Sequence, residues 1–321
     1  MTEPLLQTIE LVKSFSVRRG LFGQHRFRLV ALDRVSLAIG HGETLGIVGE
    51  SGCGKSTLGL TMMRLYEPTS GRILLEGEDL SLMDPDELRK TRPKMQMIFQ
   101  DPFASVDPRL TVEQIIREPL DINRVGSTAE RRDQVRHLTG VVQLPADAFN
   151  RFPVEFSGGQ QQRIGIARAL ALRPKLLICD EPVSSLDVSV QAQILNLLRD
   201  LQEAFELSYV FISHNIAVTA FMSRRIGVMY LGQLVEIGLS KEIVTSARHP
   251  YTRALLAAVP EPDPFQLKKR RGLTGDVPSP IDRPSGCPFH PRCPIAQDVC
   301  REQEPRLRPM GPDHLAACHF A

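Results

Sequence analysis

The feature that most constrains this chain is the run Gly49-Glu50-Ser51-Gly52-Cys53-Gly54-Lys55-Ser56-Thr57. An apolar run, Thr44 to Val48, leads into it, and Leu58 to Leu65 follows at helical spacing. Strand, glycine-rich loop and helix, in that order, are the context a phosphate-binding P-loop requires. Glycines at 49, 52 and 54 let backbone N–H groups turn inward around a di- or triphosphate. The helix opening at Lys55 adds the positive end of its dipole. Lys55 is expected to reach the β- and γ-phosphates, and the Ser56 hydroxyl to bind Mg²⁺. The full GxxxxGKS spacing in this context reads as a nucleotide site rather than an empty glycine turn.

The 321 residues allow one large domain plus an appendage, or two domains. A formal charge of +2 and the lack of a long basic run give no reason to expect nucleic acid. No apolar stretch approaches the roughly 18–20 residues needed to cross a bilayer. The start, Met1-Thr2-Glu3-Pro4, does not read as a signal peptide. A cytoplasmic location is therefore expected, with any membrane role coming through partners.

Alternating patterns predict strands over 7–12 and 35–39, separated by a basic, glycine-punctuated loop near 18–23. Further strands are expected at 72–77 and 96–99, and helices near 111–123, 128–143 and from Ser157 to about 172. Leu176 to Asp180 reads as a buried parallel strand, 188–205 as an amphipathic helix, and 209–214 as another buried strand. A hairpin is expected around Gly232-Gln233, then short helices near 241–247 and 250–259. Strands alternating with helices favour an α/β fold with a largely parallel core sheet.

Asp180, at the end of its strand, can hold Mg²⁺, and Glu181 after it is positioned as a general base for the attacking water. An acidic pair that only caps the following turn is the alternative, weakened by the P-loop upstream. Ser157-Gly158-Gly159-Gln160 resembles the signature of ATP-binding cassette proteins. The chain most resembles the ATPase subunits of oligopeptide and dipeptide ABC importers, over almost its whole length. The resemblance includes Phe99 to Ser105, Glu155 to Gln160, Cys179 to Asp187, His249-Pro250-Tyr251-Thr252 and Gly286 to Pro294. The last two segments separate this family from ABC ATPases in general.

The resemblance implies a P-loop nucleotide-binding domain over 1–259, with a RecA-like core, an antiparallel β subdomain and a helical subdomain at about 101–172. A proline-rich linker over 260–286 and a cysteine-rich extension over 287–321 follow. ATP would be held by Gly49, Glu50, Ser51, Gly52, Cys53, Gly54, Lys55, Ser56 and Thr57. Gln100 would sense Mg²⁺ and water and couple to the membrane subunit. Ser157, Gly159 and Gln160 would meet the ATP of an opposite cassette, and His214 would contact the γ-phosphate. Phe15 fits the position on which adenine stacks, with an ordinary core aromatic as its rival. Asn215 stands where many relatives carry Asp. Around Gln100 to Arg109 a coupling helix would dock, with Phe103 and Val106 as its apolar contacts. The implied partners are a second cassette, in a heterodimer, two transmembrane permease subunits and an extracytoplasmic substrate-binding protein. The chain would be peripheral to the cytoplasmic face of the membrane. Nickel, glutathione or sugar as cargo, a soluble ABC protein acting on DNA or ribosomes, and a tail that senses redox state or metal are the competing readings.

Cys287, Cys293, Cys300 and Cys318 crowd the last thirty-five residues. In a cytoplasmic chain such a set suggests metal rather than disulfides. Their spacing lacks the CxxC pairs of zinc ribbons. Relatives with this tail resemble 4Fe–4S proteins, which favours a cluster; zinc, with His290, His314 or His319 as substitutes, and no metal are the alternatives. The tail has too few large apolar side chains for a core of its own. Loosening it is expected to leave ATP affinity largely intact.

Overall fold

The computed structural model describes residues 3–19, 25–101, 106–259 and 275–321. The chain forms two compact units: Met1–Gly40, Thr44–Leu82 and Ile212–Ala321 make the first, His41–Glu43 and Met83–Phe211 the second. Unit 1 begins with two long antiparallel strands, β1 (Leu6–Arg19) and β2 (His25–Ile39). Leu6 lies opposite Ile39 and Phe15 opposite Leu29, with register shifts between Thr8 and Ser14. The strands thus run through Arg18 and Arg19, where a loop was expected; residues 20–24 lie outside the described ones. β3 (Thr44–Val48), buried throughout, leads into α1 (Lys55–Met62). β4 (Ser70–Leu75) pairs with β1 and with β5 (Glu78–Asp79), giving an antiparallel sheet ordered β2-β1-β4-β5.

Unit 2 owes its helix starts to one local device. α2 (Pro85–Thr91), α3 (Val112–Ile122), α4 (Thr128–Val141) and α5 (Gly158–Leu170) each open on a capping box. Asp84, Thr111, Ser127 and Ser157 accept from the third helical N–H, and Glu87, Gln114, Glu130 and Gln160 reach back. Each box satisfies two otherwise orphaned donors, which fixes where the helix begins. α3, α4 and α5 pack on one another as a helical lobe. β6 (Met95–Ile98) runs parallel to β7 (Leu176–Asp180), with Met95 opposite Leu176. α6 (Val188–Phe205) and β8 (Ser208–Ser213) follow, and the strand order is β8-β7-β6. Val106, expected to dock a partner, is buried at 6% exposure and is a packing residue instead. Phe103 lies outside the described residues.

The chain re-enters unit 1 with α7 (Ile216–Met222), capped by Asn215, whose side chain accepts from the Ala217 and Val218 N–H groups. α7 lies so close to β3 that a Cβ on Gly46 would stand 2.1 Å from Thr219 Cγ2. β9 (Arg225–Tyr230) runs parallel to β3 and forms a hairpin with β10 (Gln233–Leu239). The turn is Leu231-Gly232, one residue earlier than expected, with φ of 44° and 78°. Two left-handed residues match the twist of a tight hairpin. α8 (Ser240–Ser246) and α9 (Pro250–Ala257) come next.

The tail does not stand apart from this unit. It contributes α10 (Asp298–Glu302), β11 (Arg308–Gly311) and β12 (His314–Ala316). β12 pairs with β10, Ala316 opposite Glu236, so the unit's second sheet reads β11-β12-β10-β9-β3. Phe289, 1% exposed, packs against Tyr230 and Tyr251 with ring centres 5.3 and 5.5 Å away. Cys287 and Cys300 join the same cluster. The tail solves its shortage of apolar residues by borrowing a core. Phe289→Ala should therefore destabilise the whole chain by about 3–5 kcal/mol, read as a lowered urea midpoint. An unchanged midpoint would show that the tail contributes nothing to that core.

Candidate functional site

The P-loop, in unit 1, is fixed by close approach. A Cβ on Gly49 would stand 2.3 Å from the Met229 carbonyl oxygen, and one on Gly54 2.4 Å from that of Ala31. Gly54 also has φ +105°, a conformation side-chain-bearing residues avoid. Ser51 and Gly52 are exposed, while Cys53 is buried and burial pushes its thiol pKa up. Lys55 Nζ donates to the carbonyls of Gly49 (2.8 Å) and Glu50 (3.0 Å). A longer contact from the same nitrogen reaches Cys53 Sγ at 4.0 Å, a weak acceptor that a phosphate oxygen can replace. No side chain caps α1, where the half-buried Ser56 and Thr57 stand. Its first N–H groups suit an anion.

Glu50 is held on every side. Its N–H donates to Tyr251 Oη (2.8 Å), and its carboxylate takes both Arg292 Nη1 and Nη2, at 2.7 and 3.0 Å. Neither Tyr251 nor Arg292 was given a role by the sequence, although both lie in the two segments that set the family apart. Tyr251 is oriented by its helix start: Pro250 is the first helical residue, and His249 Nδ1 accepts the Tyr251 N–H at 3.1 Å. Burial drives the His249 pKa down to about 3, so the ring is neutral and can accept.

Phe15 is half-buried, edge-on to Tyr66 at 5.4 Å, with Lys13 Nζ 4.8 Å from its ring centre. His214 is exposed at the residue before the Asn215 cap. In unit 2, Asp180 ends β7 at 6% exposure, beside the wholly buried Cys179. Glu181 follows with φ +47°, a left-handed backbone uncommon for a residue with a side chain. Gln100 Nε2 donates to Glu181 Oε2 at 3.0 Å, so these two predicted residues meet. At the start of α5, Ser157 is exposed and shares its capping box with Gln160. Gly159 is packed against α6, where a Cβ would stand 2.4 Å from Val190 Cγ1.

All six cysteines are free thiols. Burial first, then the neighbouring Cys300, Cys293 and Cys318, push the Cys287 thiol up to about 11. The Cys287 N–H donates to the Cys300 carbonyl at 2.8 Å, and Cys293 packs against the same cluster. Among the described residues, however, no three or more His, Cys, Asp or Glu side chains form a group able to hold a metal.

Residues 32–184 match the model of the ABC transporter family, and residues 235–300 that of the oligopeptide/dipeptide transporter C-terminal region. The oligopeptide transport ATP-binding protein AppF of Bacillus subtilis is 49% identical over 99% of this chain and 98% of its own length. The dipeptide transport ATP-binding protein DppF of Haemophilus influenzae is 46% identical over 98% and 96%. The chain belongs to the ATP-binding subunits of oligopeptide and dipeptide ABC transporters. The fold agrees: the ATP-binding cassette MJ0796, a dimer bound to ADP and Pi, superposes with a TM-score of 0.65 at 31% identity. That match covers 73% of this chain and 98% of the cassette. CbiO1 of Clostridium perfringens, part of an ABC transporter complex, gives 0.66 at 26% identity, over 76% and 92%. Among the described residues no helix is long and apolar enough to cross a membrane.

In this ABC ATPase the geometry of Gly54 yields a direct test. Gly54→Ala forces a left-handed alanine and a clash with Ala31, strain of about 1–3 kcal/mol concentrated in the loop. ATP binding should fall while the remainder of the fold holds, measured by nucleotide titration beside circular dichroism. Unchanged affinity would remove Gly54 from the cradle.

Proposed function

We propose that this chain hydrolyses ATP to energise import of di- and oligopeptides, as a peripheral subunit at the cytoplasmic face of a membrane transporter. The observation that carries the hydrolytic reading is the Gln100–Glu181 hydrogen bond at 3.0 Å. It joins the residue proposed to sense the membrane subunit to the residue proposed to activate water. Glu181 accepts the proton of the attacking water, and Gln100 fixes the rotamer of that carboxylate. Lys55 and the N–H groups at the start of α1 neutralise the phosphates. Ser56, Asp180 and Gln100 offer hydroxyl, carboxylate and amide oxygens, the hard donors that suit Mg²⁺. Bound Mg²⁺ would supply charge neutralisation to the phosphates. Phe15 stacks on adenine and His214 contacts the γ-phosphate.

Ser157, Gly159 and Gln160 serve the ATP of a second, non-identical cassette, so that two chains close head to tail. Ser157 is exposed at a helix start, as such a trans contact needs. Closure on ATP and release on hydrolysis drive two permease subunits, supplied by an extracytoplasmic binding protein. The identity of the relatives, peptide transport proteins along their full length, supports this cargo. Glu181→Gln should lower ATP turnover by at least about a hundredfold, the usual scale for losing a general base, while ATP binding persists and a closed dimer accumulates. Near-normal turnover would remove Glu181 from the role.

We further propose that Cys287, Cys293, Cys300 and Cys318 ligate a structural 4Fe–4S cluster. The all-sulfur donor set and the packing of Cys287, Cys293 and Cys300 in one cluster support it. Anaerobically purified protein should be brown, with broad absorption near about 400 nm. Cys293→Ser or Cys300→Ser should bleach it and expose the tail to proteolysis. Stoichiometric zinc in colourless protein would replace iron with zinc, and metal-free protein with an ordered tail would end the metal proposal.

A further inference from the structure

Two arginines tie this end of the chain to the P-loop and its support: Arg292 of the tail to Glu50, and Arg283, just before the tail, to the neighbouring hairpin turn. Arg292 ends the short turn His290–Arg292, directly after Phe289, which the Tyr230–Tyr251 cluster holds at 1% exposure. The Arg292 side chain is only 4% exposed and its partner Glu50 25%. A two-pronged pair this sheltered is geometrically specific and weakly screened by salt. The same Glu50 gives its N–H to Tyr251 and its carbonyl to Lys55. Three anchors therefore set the first turn of the loop, and one of them comes from the tail.

The other end of the loop is held in a similar manner. Gly232 N–H donates to the Cys53 carbonyl at 2.7 Å, and Asp33 N–H donates to the Gly232 carbonyl at 2.9 Å. Arg283 bonds the carbonyl of the left-handed Leu231 and, at 2.7 Å, the carboxylate of Asp33. Arg283, just before the tail, thus braces the hairpin turn that supports Cys53. Arg292 touches the loop itself and is the sharper of the two.

We propose that Arg292 is a positioning residue for ATP: by fixing Glu50 it sets the shape of the P-loop, which makes the C-terminal tail part of the nucleotide-binding apparatus. This rests on the reading of the P-loop as the phosphate site. A loop whose donors are already aligned loses less freedom when the phosphate arrives. Without Arg292 that alignment is lost, and the loss falls on ATP affinity. The sequence alone suggests a tail that can loosen without touching that affinity; the Arg292–Glu50 pair argues the opposite.

The test uses the full chain with Mg²⁺ and a fluorescent, non-hydrolysable ATP analogue, since there is no tryptophan to report binding. Arg292→Gln should weaken binding about tenfold, or about 1.4 kcal/mol. KM for ATP should rise in step, with kcat at saturating ATP held within about twofold, the pattern of lost uniform binding. Arg292→Lys keeps the charge without the fork and should recover part of the loss. Glu50→Gln should weaken binding comparably, and Glu50→Gln with Arg292→Gln no more than either alone. Additive losses, or a folded Arg292→Gln chain with unchanged affinity, would overturn the proposal. If Arg292→Gln fails to fold, Arg292→Lys and Glu50→Gln decide it, and full affinity in both is the overturning result. Lys55→Ala separates the two readings. Retained ATP binding in that variant sinks the phosphate-site assignment, whereas lost binding there with normal Arg292 variants sinks only the role of Arg292.

Discussion

A loop that points its N–H groups at one place gives up its own backbone pairing, and something outside must hold it open. That constraint organises unit 1. β9 presses the Met229 carbonyl against Gly49, and β2 presses the Ala31 carbonyl against Gly54. The hairpin turn at Gly232 takes the Cys53 carbonyl, and Lys55 ties down two carbonyls from within. The loop's own atoms are thus placed before any phosphate arrives. This is preorganisation in a literal form, since the donors need little rearrangement to bind charge.

Much of this was legible in the chain because the signals are local. The cap at Ser157 and the helical patterns of α3 and α4 lie within short windows and can be read without knowing the fold, whereas the capping boxes at Asp84, Thr111 and Ser127 were not read from the sequence. β7 and α6 fall at the residues their apolar patterns predict. α2, α7 and the tail strands escaped, each offering too short a window for periodicity, whereas β7, with only five residues, is legible as an unbroken apolar run. β12 exists because β10 offers it an edge, a fact no window of sequence contains. The bracing of the P-loop was hidden for the same reason. Arg292 lies 242 residues from Glu50, and nothing near either predicts the pairing.

The signature glycine shows how a motif can carry two loads. Read as a phosphate contact, Gly159 needs only an open helix start. In the fold it also lets α5 approach α6, since Val190 Cγ1 occupies the place of a Cβ. A side chain there must push the two helices apart, whatever it does to ATP. Ser157 differs: it is exposed, and its capping bond to the Gln160 N–H leaves a hydroxyl lone pair free to meet a ligand. Under the proposed contact with a second cassette's ATP, substitutions at 157 therefore report on that contact more cleanly than substitutions at 159.

The deepest link between tail and loop is a single carboxylate. Glu236 is fully buried, and such a group persists only when its oxygens are satisfied. It accepts the N–H groups of Arg248 (2.6 Å) and His249 (3.0 Å), and His314 Nε2 at 2.7 Å. His314 opens β12, while His249 caps the helix that carries Tyr251 to Glu50. One buried charge thus fixes the tail strand and the P-loop's tyrosine together. Removing the tail would strand Glu236 without one of its donors, a penalty of about 1–3 kcal/mol or more for a charged group. The position of Tyr251 would be loosened in the same event. A cassette built this way cannot treat its extension as an accessory: the fold spends its buried polar contacts on joining the two.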